Sequence, residues 1–331
     1  MTTYYGLYGQ KVQYLASDPT DVQIGQVWYN STSATLKVRQ EVAVNAWASG
    51  GNMNSPRRVG GGAGIQTAAL GFGGLQDGST PNTLAVTESY NGTSWTNVNS
   101  MNTARLALVG TGSQTAALGF GGENPTSSAA TESWNGTNWT SVNSMNTARA
   151  DFAGAGTQTN TLAFGGRATP TPTAATESWN GTNWTSVNSM NTARERLGGA
   201  GTQTTALAFG GETPGPALTA ATESWNGTSW TTVNSMNTGR INIGGCGTQI
   251  SALAFGGQAP PTTSVKTELW NGTSWTNNPT GLGTGRYQFV AAVGTQGSAL
   301  GSGGYIPGSS KTAITEEWTG NVISSKTVTV T

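Results

Sequence analysis

The chain has 331 residues and no net charge, its 15 basic and 15 acidic side chains making up only 9% of it. That length suits one large all-β domain or two ordinary ones, and the charge balance leaves no electrostatic footprint for nucleic acid or an anionic membrane surface. Histidine is absent and Cys246 is the single cysteine, which removes Ser-His-Asp and Cys-His nucleophile pairs, imidazole-bound metal and an intrachain disulfide.

The N-terminal run MTTYYGLYGQKVQYL has neither the basic start nor the apolar core of a secretory signal. No stretch approaches the roughly 20 apolar residues of a membrane-spanning helix. Val27–Asn30 and Thr35–Val38 flank the polar Ser31–Ala34 and predict a hairpin. The string GQVWYNSTSATLKV, Gly25 to Val38, resembles a hairpin element of bacteriophage tail-fibre proteins. The resemblance implies that residues 1–40 are an attachment segment for other virion proteins. A hairpin packed on the main domain is the plainer alternative.

A repeat then takes over. Its marker aromatics are Tyr90, Trp134, Trp179, Trp225, Trp270 and Trp318, spaced by 44, 45, 46, 45 and 48 residues. Such a period means a propeller, a solenoid or an array. Glycine, threonine, serine and asparagine are abundant, as in a flexible coil, but twelve tryptophans and a strict period contradict that. In the copy from Arg149 to Arg194 four strands are predicted: A over 150–156, B over 159–165, C over 175–179 and D over 183–187. In strand B, Leu162 and Phe164 face one way and Ala163 the other, with the period of two of a strand. Asn180-Gly181 between C and D is a strong hairpin signal because both residues tolerate positive φ. Its five Asn-Gly-Thr sequons, Asn91 and Asn135 among them, need only the turn for their explanation.

Four short antiparallel strands repeated six times predict a β-propeller. The repeat begins in mid-unit at Trp47, and the last unit has Trp318 but no second tryptophan. The Trp47 strand therefore completes the last blade and leaves no free sheet edge there. The predicted organisation is an N-terminal hairpin over residues 1–40 and a six-bladed all-β propeller over 41–331. The terminal run VISSKTVTVT either adds a strand to that last blade or pairs with the N-terminal hairpin.

The unit also resembles the kelch repeat, on Gly165-Gly166, Trp179, Trp184, Met190 and Arg194. The resemblance extends over about 280 residues and implies a propeller whose members serve as binding modules, carbohydrate-related enzymes or structural repeats, so it selects no function. The copper oxidase built on this fold needs histidine ligands, which this chain lacks.

The most repeated residues read as scaffold. Glu132 and Glu177, Arg149 and Arg194 exemplify an acid and a base that recur in every unit and read as a Glu–Arg pair, or Glu to backbone, at each blade junction; a buried carboxylate needs such a partner. Trp134, Trp139, Trp179 and Trp184 read as core. Cys246 stands where other copies have Ala63, Ala155 and Ala200 and reads as a small buried residue. Six equal glutamates do not make the asymmetric site an enzyme requires.

Function is sought where copies differ. The B-to-C loops vary, as does the start of strand A after the arginine: Leu106-Ala107, Ala150-Asp151, Glu195-Arg196, Ile241-Asn242 and Tyr287-Gln288. In an up-down blade both sets emerge on one face, around the mouth of the central channel. A constant scaffold under a varied face suggests recognition; drift in surface loops is the alternative. The candidate ligand-binding residues are Asp151, Arg167, Glu195, Arg196, Asn242, Tyr287 and Gln288, a mixture suited to a sugar or a protein loop. No catalytic residue, metal or cofactor is expected.

The expectation is a bacteriophage virion surface protein, a tail fibre or similar appendage, that binds a host-surface glycan or protein through this face. It has no signal peptide, nucleic-acid partner or membrane insertion, and its sequence permits a homo-oligomer. The alternatives are a decoration or connector protein packed on other virion subunits, a secreted bacterial adhesin, and a glycan-active enzyme using Asp151 and Glu195.

Overall fold

In the computed structural model, residues 12–20, 24–76, 82–260, 262–308 and 310–328 are described, and among them every regular element is a β-strand. The start of the chain, the centre of the first B-to-C loop and the last three residues of the terminal run lie outside them. Among the described residues no helix is long and apolar enough to cross a membrane.

The chain forms two compact units, Met1–Asn45 with Thr319–Thr331, and Ala46–Trp318. The division falls five residues later than the sequence suggests, and the segment after Trp318 groups with the N-terminal unit instead of the propeller. Of the two placements open to the terminal run, pairing at the N-terminal side is the one its strand adopts, since Thr315–Val328 lies beside Thr35–Ser49.

In the N-terminal unit, Val27–Asn30 pairs antiparallel with Thr35–Val38, with Val27 opposite Val38. Gln13–Leu15 adds a parallel strand on the other side. Asp18 ties this hairpin together: it accepts from Trp28 Nε1 at 3.0 Å, Asn30 Nδ2 at 2.7 Å and Lys37 Nζ at 2.6 Å. These donors, Lys37 foremost, hold its carboxyl at about 2.

The second unit is a ring of six four-stranded antiparallel blades. Five are continuous in sequence. In the third, Ala153–Gly156, Thr161–Phe164, Thr176–Trp179 and Trp184–Val187 stand in order A to D, with Trp179 opposite Trp184 across the Asn-Gly turn. The observed strands are shorter than predicted at their ends, because the residues before each A strand and after each B strand form the mouth described below. The sixth blade is completed by the end of Thr35–Ser49, which carries Trp47, beside the start of Thr315–Val328.

Burial runs from the axis outward. A strands alternate buried and half-buried, B strands are buried throughout, and D strands bury mainly their tryptophan. The B strand has no solvent face because each side meets a neighbouring blade. Leu162 and Phe164 join the Ala206, Trp225 and Trp230 cluster on one side, while Ala163 joins Leu118 and Phe120 on the other. Innermost strands converge so closely that a Cβ at Gly154 would lie 2.8 Å from Val109 Cγ1, which explains the small residues along strand A.

Polar links repeat around the ring. The D-strand tryptophan of each blade donates its indole N–H to the first threonine of strand C in the preceding blade: Trp184 to Thr131 at 3.1 Å, Trp139 to Thr87 at 3.0 Å, and so on round to Trp47 and Thr267 at 2.9 Å. A glutamine after each A strand donates to the carbonyl of the preceding blade's marker aromatic, as from Gln158 to Trp134 at 2.5 Å and Gln296 to Trp270 at 2.7 Å. The Glu–Arg pairing expected from the repeat is present in all six units, from Arg57–Glu88 to Arg286–Glu316. Arg149 lies 3.2 Å from Glu177 within its own blade. Burial lowers the Arg149 pKa to about 10, with Glu177 opposing. Glu177 also accepts from the backbone N–H groups of Asn146 at 2.7 Å and Thr147 at 3.3 Å. The acid thus fixes the connection that leads into its own blade, which accounts for the constancy of Asn-Thr-Ala-Arg.

Candidate functional site

The two residues after each repeated arginine do different jobs. The first forms a β-bridge to the residue that follows the Gly-Gly pair of its own blade: Arg58 with Leu75, Leu106 with Glu123, Ala150 with Arg167, Glu195 with Glu212, Ile241 with Gln258, Tyr287 with Tyr305. The Gly-Gly pair makes that return possible, both glycines holding positive φ, 67° and 97° at Gly165 and Gly166. Beyond the bridge the chain continues as a short hairpin, such as Arg167–Ala168 with Thr171–Pro172.

The second residue is left-handed in every blade. Val59, Ala107, Asp151, Arg196, Asn242 and Gln288 have φ between 53° and 59°. None is glycine, and φ in this range is a genuine outlier for a β-branched residue such as Val59. Their backbones close a ring of six hydrogen bonds. Ala107 donates to Val59 at 2.8 Å, Asp151 to Ala107 at 3.2 Å, Arg196 to Asp151 at 2.6 Å, Asn242 to Arg196 at 2.8 Å, Gln288 to Asn242 at 3.3 Å, and Val59 to Gln288 at 2.8 Å. The turn this ring demands, not the side chain, sets the conformation. Each side chain is thereby carried at the mouth of the channel on strained backbone, a condition that clusters at functional sites.

Beneath the ring lies a cavity of about 180 Å³ lined in part by Asp151, Arg196, Asn242 and Gln288. Further along the axis a space of about 120 Å³ is lined by small residues and Cys246. Burial pushes the Cys246 thiol up to about 12. Both spaces fall short of the roughly 300–1,000 Å³ of a pocket that encloses a small molecule.

The mouth is asymmetric. On one side Arg167 meets Glu123 at 2.9 Å, Asp151 at 3.3 Å and Glu195 at 3.3 Å. Arg196 meets Glu212 at 2.9 Å, with Glu195 at 3.8 Å and Asp151 at 3.9 Å. Burial disfavours the Arg167 cation, but Asp151, Glu123 and Glu195 outweigh it and raise its pKa. Burial raises that of Glu195. Across the mouth the groups are aromatic and amide, with one guanidinium. Tyr287 and Tyr305 meet edge to face with centroids 5.3 Å apart, Arg58 lies 5.0 Å over the Tyr305 ring, and Arg58 donates to Gln288 Oε1 at 2.7 Å.

Four of the seven candidate residues, Asp151, Arg167, Glu195 and Arg196, are thus brought into one ion network. Asn242, Tyr287 and Gln288 belong to the remainder of the mouth. Glu123, Glu212, Gln258, Tyr305 and Arg58 were not singled out from the sequence. The signal for all but Arg58 was their shared place as the first residue of each varied loop; Arg58 stands where later copies have Leu106 and Ala150. Asp151 and Glu195 share two guanidinium partners instead of facing each other across an open pocket. Among the described residues no group of three or more His, Cys, Asp or Glu side chains is arranged to hold a metal ion.

No family model matches the chain, and no curated protein matches it in sequence. Among solved structures, one reported as "Structure of YjhT" is similar with a TM-score of 0.69 and 12% identity, over 83% of this chain and 99% of that one. At that identity the likeness establishes the fold: the chain is an all-β protein with a propeller of repeated four-stranded blades.

Proposed function

We propose that the protein is a bacteriophage virion surface protein, a tail fibre or similar appendage, that recognises the host cell through the mouth face of a kelch-like propeller, without catalysis. The observation that carries the recognition reading is the left-handed ring. Six positions are geometrically equivalent and conformationally strained, and yet hold six different side chains, Val, Ala, Asp, Arg, Asn and Gln. Glycine would relieve the strain at each one. A scaffold that keeps varied side chains at that cost is presenting them. The mixture of aromatic, amide and charged groups suits a glycan or a protein loop of the host.

Virion placement is supported by the fibre-like hairpin of the N-terminal unit, which also exposes Val12, Tyr14 and Ile24, apolar groups suited to packing on another virion protein. The same exposed groups favour a second reading, a decoration or connector protein held among virion subunits. The test is binding of labelled full-length protein to host cells. Saturable binding that Asn242→Gly and Gln288→Gly together abolish supports recognition. Undiminished binding by that double variant, or no binding to any host cell, sinks it.

A further inference from the structure

Arg167 sits in a cation site built by its neighbours. Three carboxylates from three different blades, Glu123, Asp151 and Glu195, converge on its one guanidinium at 2.9–3.3 Å. With Glu212 and Arg196 the cluster has four carboxylates and two guanidiniums, an excess of two negative charges on this side of the mouth. Both guanidiniums of the cluster are already engaged, and Arg58 across the mouth is held by Gln288 and the Tyr305 ring, so an anionic ligand on this side meets four carboxylates that repel it.

The fit of Arg167 in this site is incomplete. Glu195, only 7% exposed, has one carboxylate oxygen, Oε2, that accepts no hydrogen bond, and Arg167 Nε donates none, although the two atoms are 3.3 Å apart. The approach is close but misaligned, and a buried polar atom without a hydrogen bond is costly. A compact ammonium, with three freely oriented donors, can satisfy three carboxylates that a planar fork cannot. Arg167 is free to yield: it leads a two-residue hairpin strand at the rim and its side chain is 23% exposed.

We propose that the mouth binds glycans carrying a free amino sugar, whose ammonium enters the Glu123–Asp151–Glu195 site in place of the Arg167 guanidinium, and that it rejects anionic glycans. This rests on the recognition reading above. The sugar ring is placed by the opposite wall, where Tyr287 and Tyr305 offer aromatic surface and Asn242, Gln258 and Gln288 offer amides for hydroxyls. Arg167 acts as an internal competitor that occupies the acidic site and offsets part of its charge until ligand arrives.

The experiment measures binding of the full-length protein to glucosamine oligomers, their N-acetylated counterparts of equal length, sialylated oligosaccharides and an oligolysine peptide, alongside host-cell binding. The expected result is roughly tenfold preference for the free amine over the N-acetylated form, no binding of the sialylated form, and loss of the preference at high salt. Arg167→Ala should bind the amine more tightly and Glu123→Gln more weakly. A purely structural Arg167 would give the opposite, since its removal would leave the carboxylates unpaired and the face disordered. Equal affinity for amine and N-acetyl forms, or weaker amine binding by Arg167→Ala, overturns the proposal and leaves host recognition standing. Oligolysine binding without glucosamine binding overturns it in favour of a protein ligand. Failure of all four probes overturns it too, and only if host cells are also not bound does the recognition reading fall with it.

Discussion

Trp47 donates its indole N–H to Thr267 Oγ1 at 2.9 Å, across 220 residues of sequence. The same bond recurs in each of the other five blades between residues 52 to 54 apart, or again 220 apart where the first blade meets the last. Trp47 is thus the sixth member of a cyclic set. Its ring also packs on Phe255 and Trp318, with centroids 4.7 and 5.6 Å away. Trp47→Ala should destabilise the propeller by about 3–5 kcal/mol, comparable to Trp184→Ala in an uninterrupted blade. Urea unfolding followed by tryptophan fluorescence measures it. A loss well under 1 kcal/mol would mean that the clasp strand is dispensable.

The Glu–Arg pairs invite a paired test. Arg149 and Glu177 are almost wholly buried, so Glu177→Ala leaves an unpaired interior guanidinium and should cost about 3–5 kcal/mol. Replacing both by apolar residues of similar volume, Arg149→Met with Glu177→Leu, should recover part of that loss, limited by the backbone groups Glu177 also satisfies. A double variant no more stable than Glu177→Ala would show that those backbone bonds, not the ion pair, dominate.

The left-handed ring predicts gains. Ala107→Gly and Val59→Gly remove a Cβ from positions with φ of 53° and 59° and should raise stability by about 0.5–1 kcal/mol each. Asn242→Gly should change stability little, because asparagine tolerates this region better than other side chains. Thermal unfolding of the three variants decides the matter, and a clear loss in the first two would refute strain at the ring.

Asp18 predicts acid sensitivity in the N-terminal unit. Its folded value of about 2 lies below the ordinary 3.8, so the protein holds this carboxylate ionised more firmly than the unfolded chain does. That contribution is complete above the unfolded value and disappears as pH falls through about 2. The indole N–H resonance of Trp28, which Asp18 accepts, should shift over that interval, and Asp18→Asn should abolish the transition.

Cys246 predicts silence. Its thiol is buried and pushed up to about 12, so thiol reagents at about pH 8 should leave the native protein unmodified and label it only on unfolding. Rapid labelling of native protein would mean that the inner end of the channel opens.

The ring of blades was legible because six copies must obey one geometry. The spacing of Trp134, Trp179 and Trp225 revealed the period, and the missing second tryptophan after Trp318 revealed the closure. The pairing of Arg149 was less legible: the nearest preceding acid, Glu132, belongs to Arg105, since the arginine reaches forward within its own blade to Glu177. Variation also located the mouth, but not its conformation. Asp, Arg, Gln and Val have nothing in common that announces a left-handed backbone, and the ring's hydrogen bonds are made entirely by main-chain atoms. The convergence of Glu123, Arg167 and Glu195 was out of reach for a different reason. Each is an ordinary loop charge until blade curvature brings the three together.

That main-chain ring has an evolutionary consequence. Since no side chain takes part in the bonds that hold it, any of the six can be exchanged without dismantling the frame. The side chains at the mouth can therefore be replaced one position at a time while the same six main-chain bonds remain available to hold the frame.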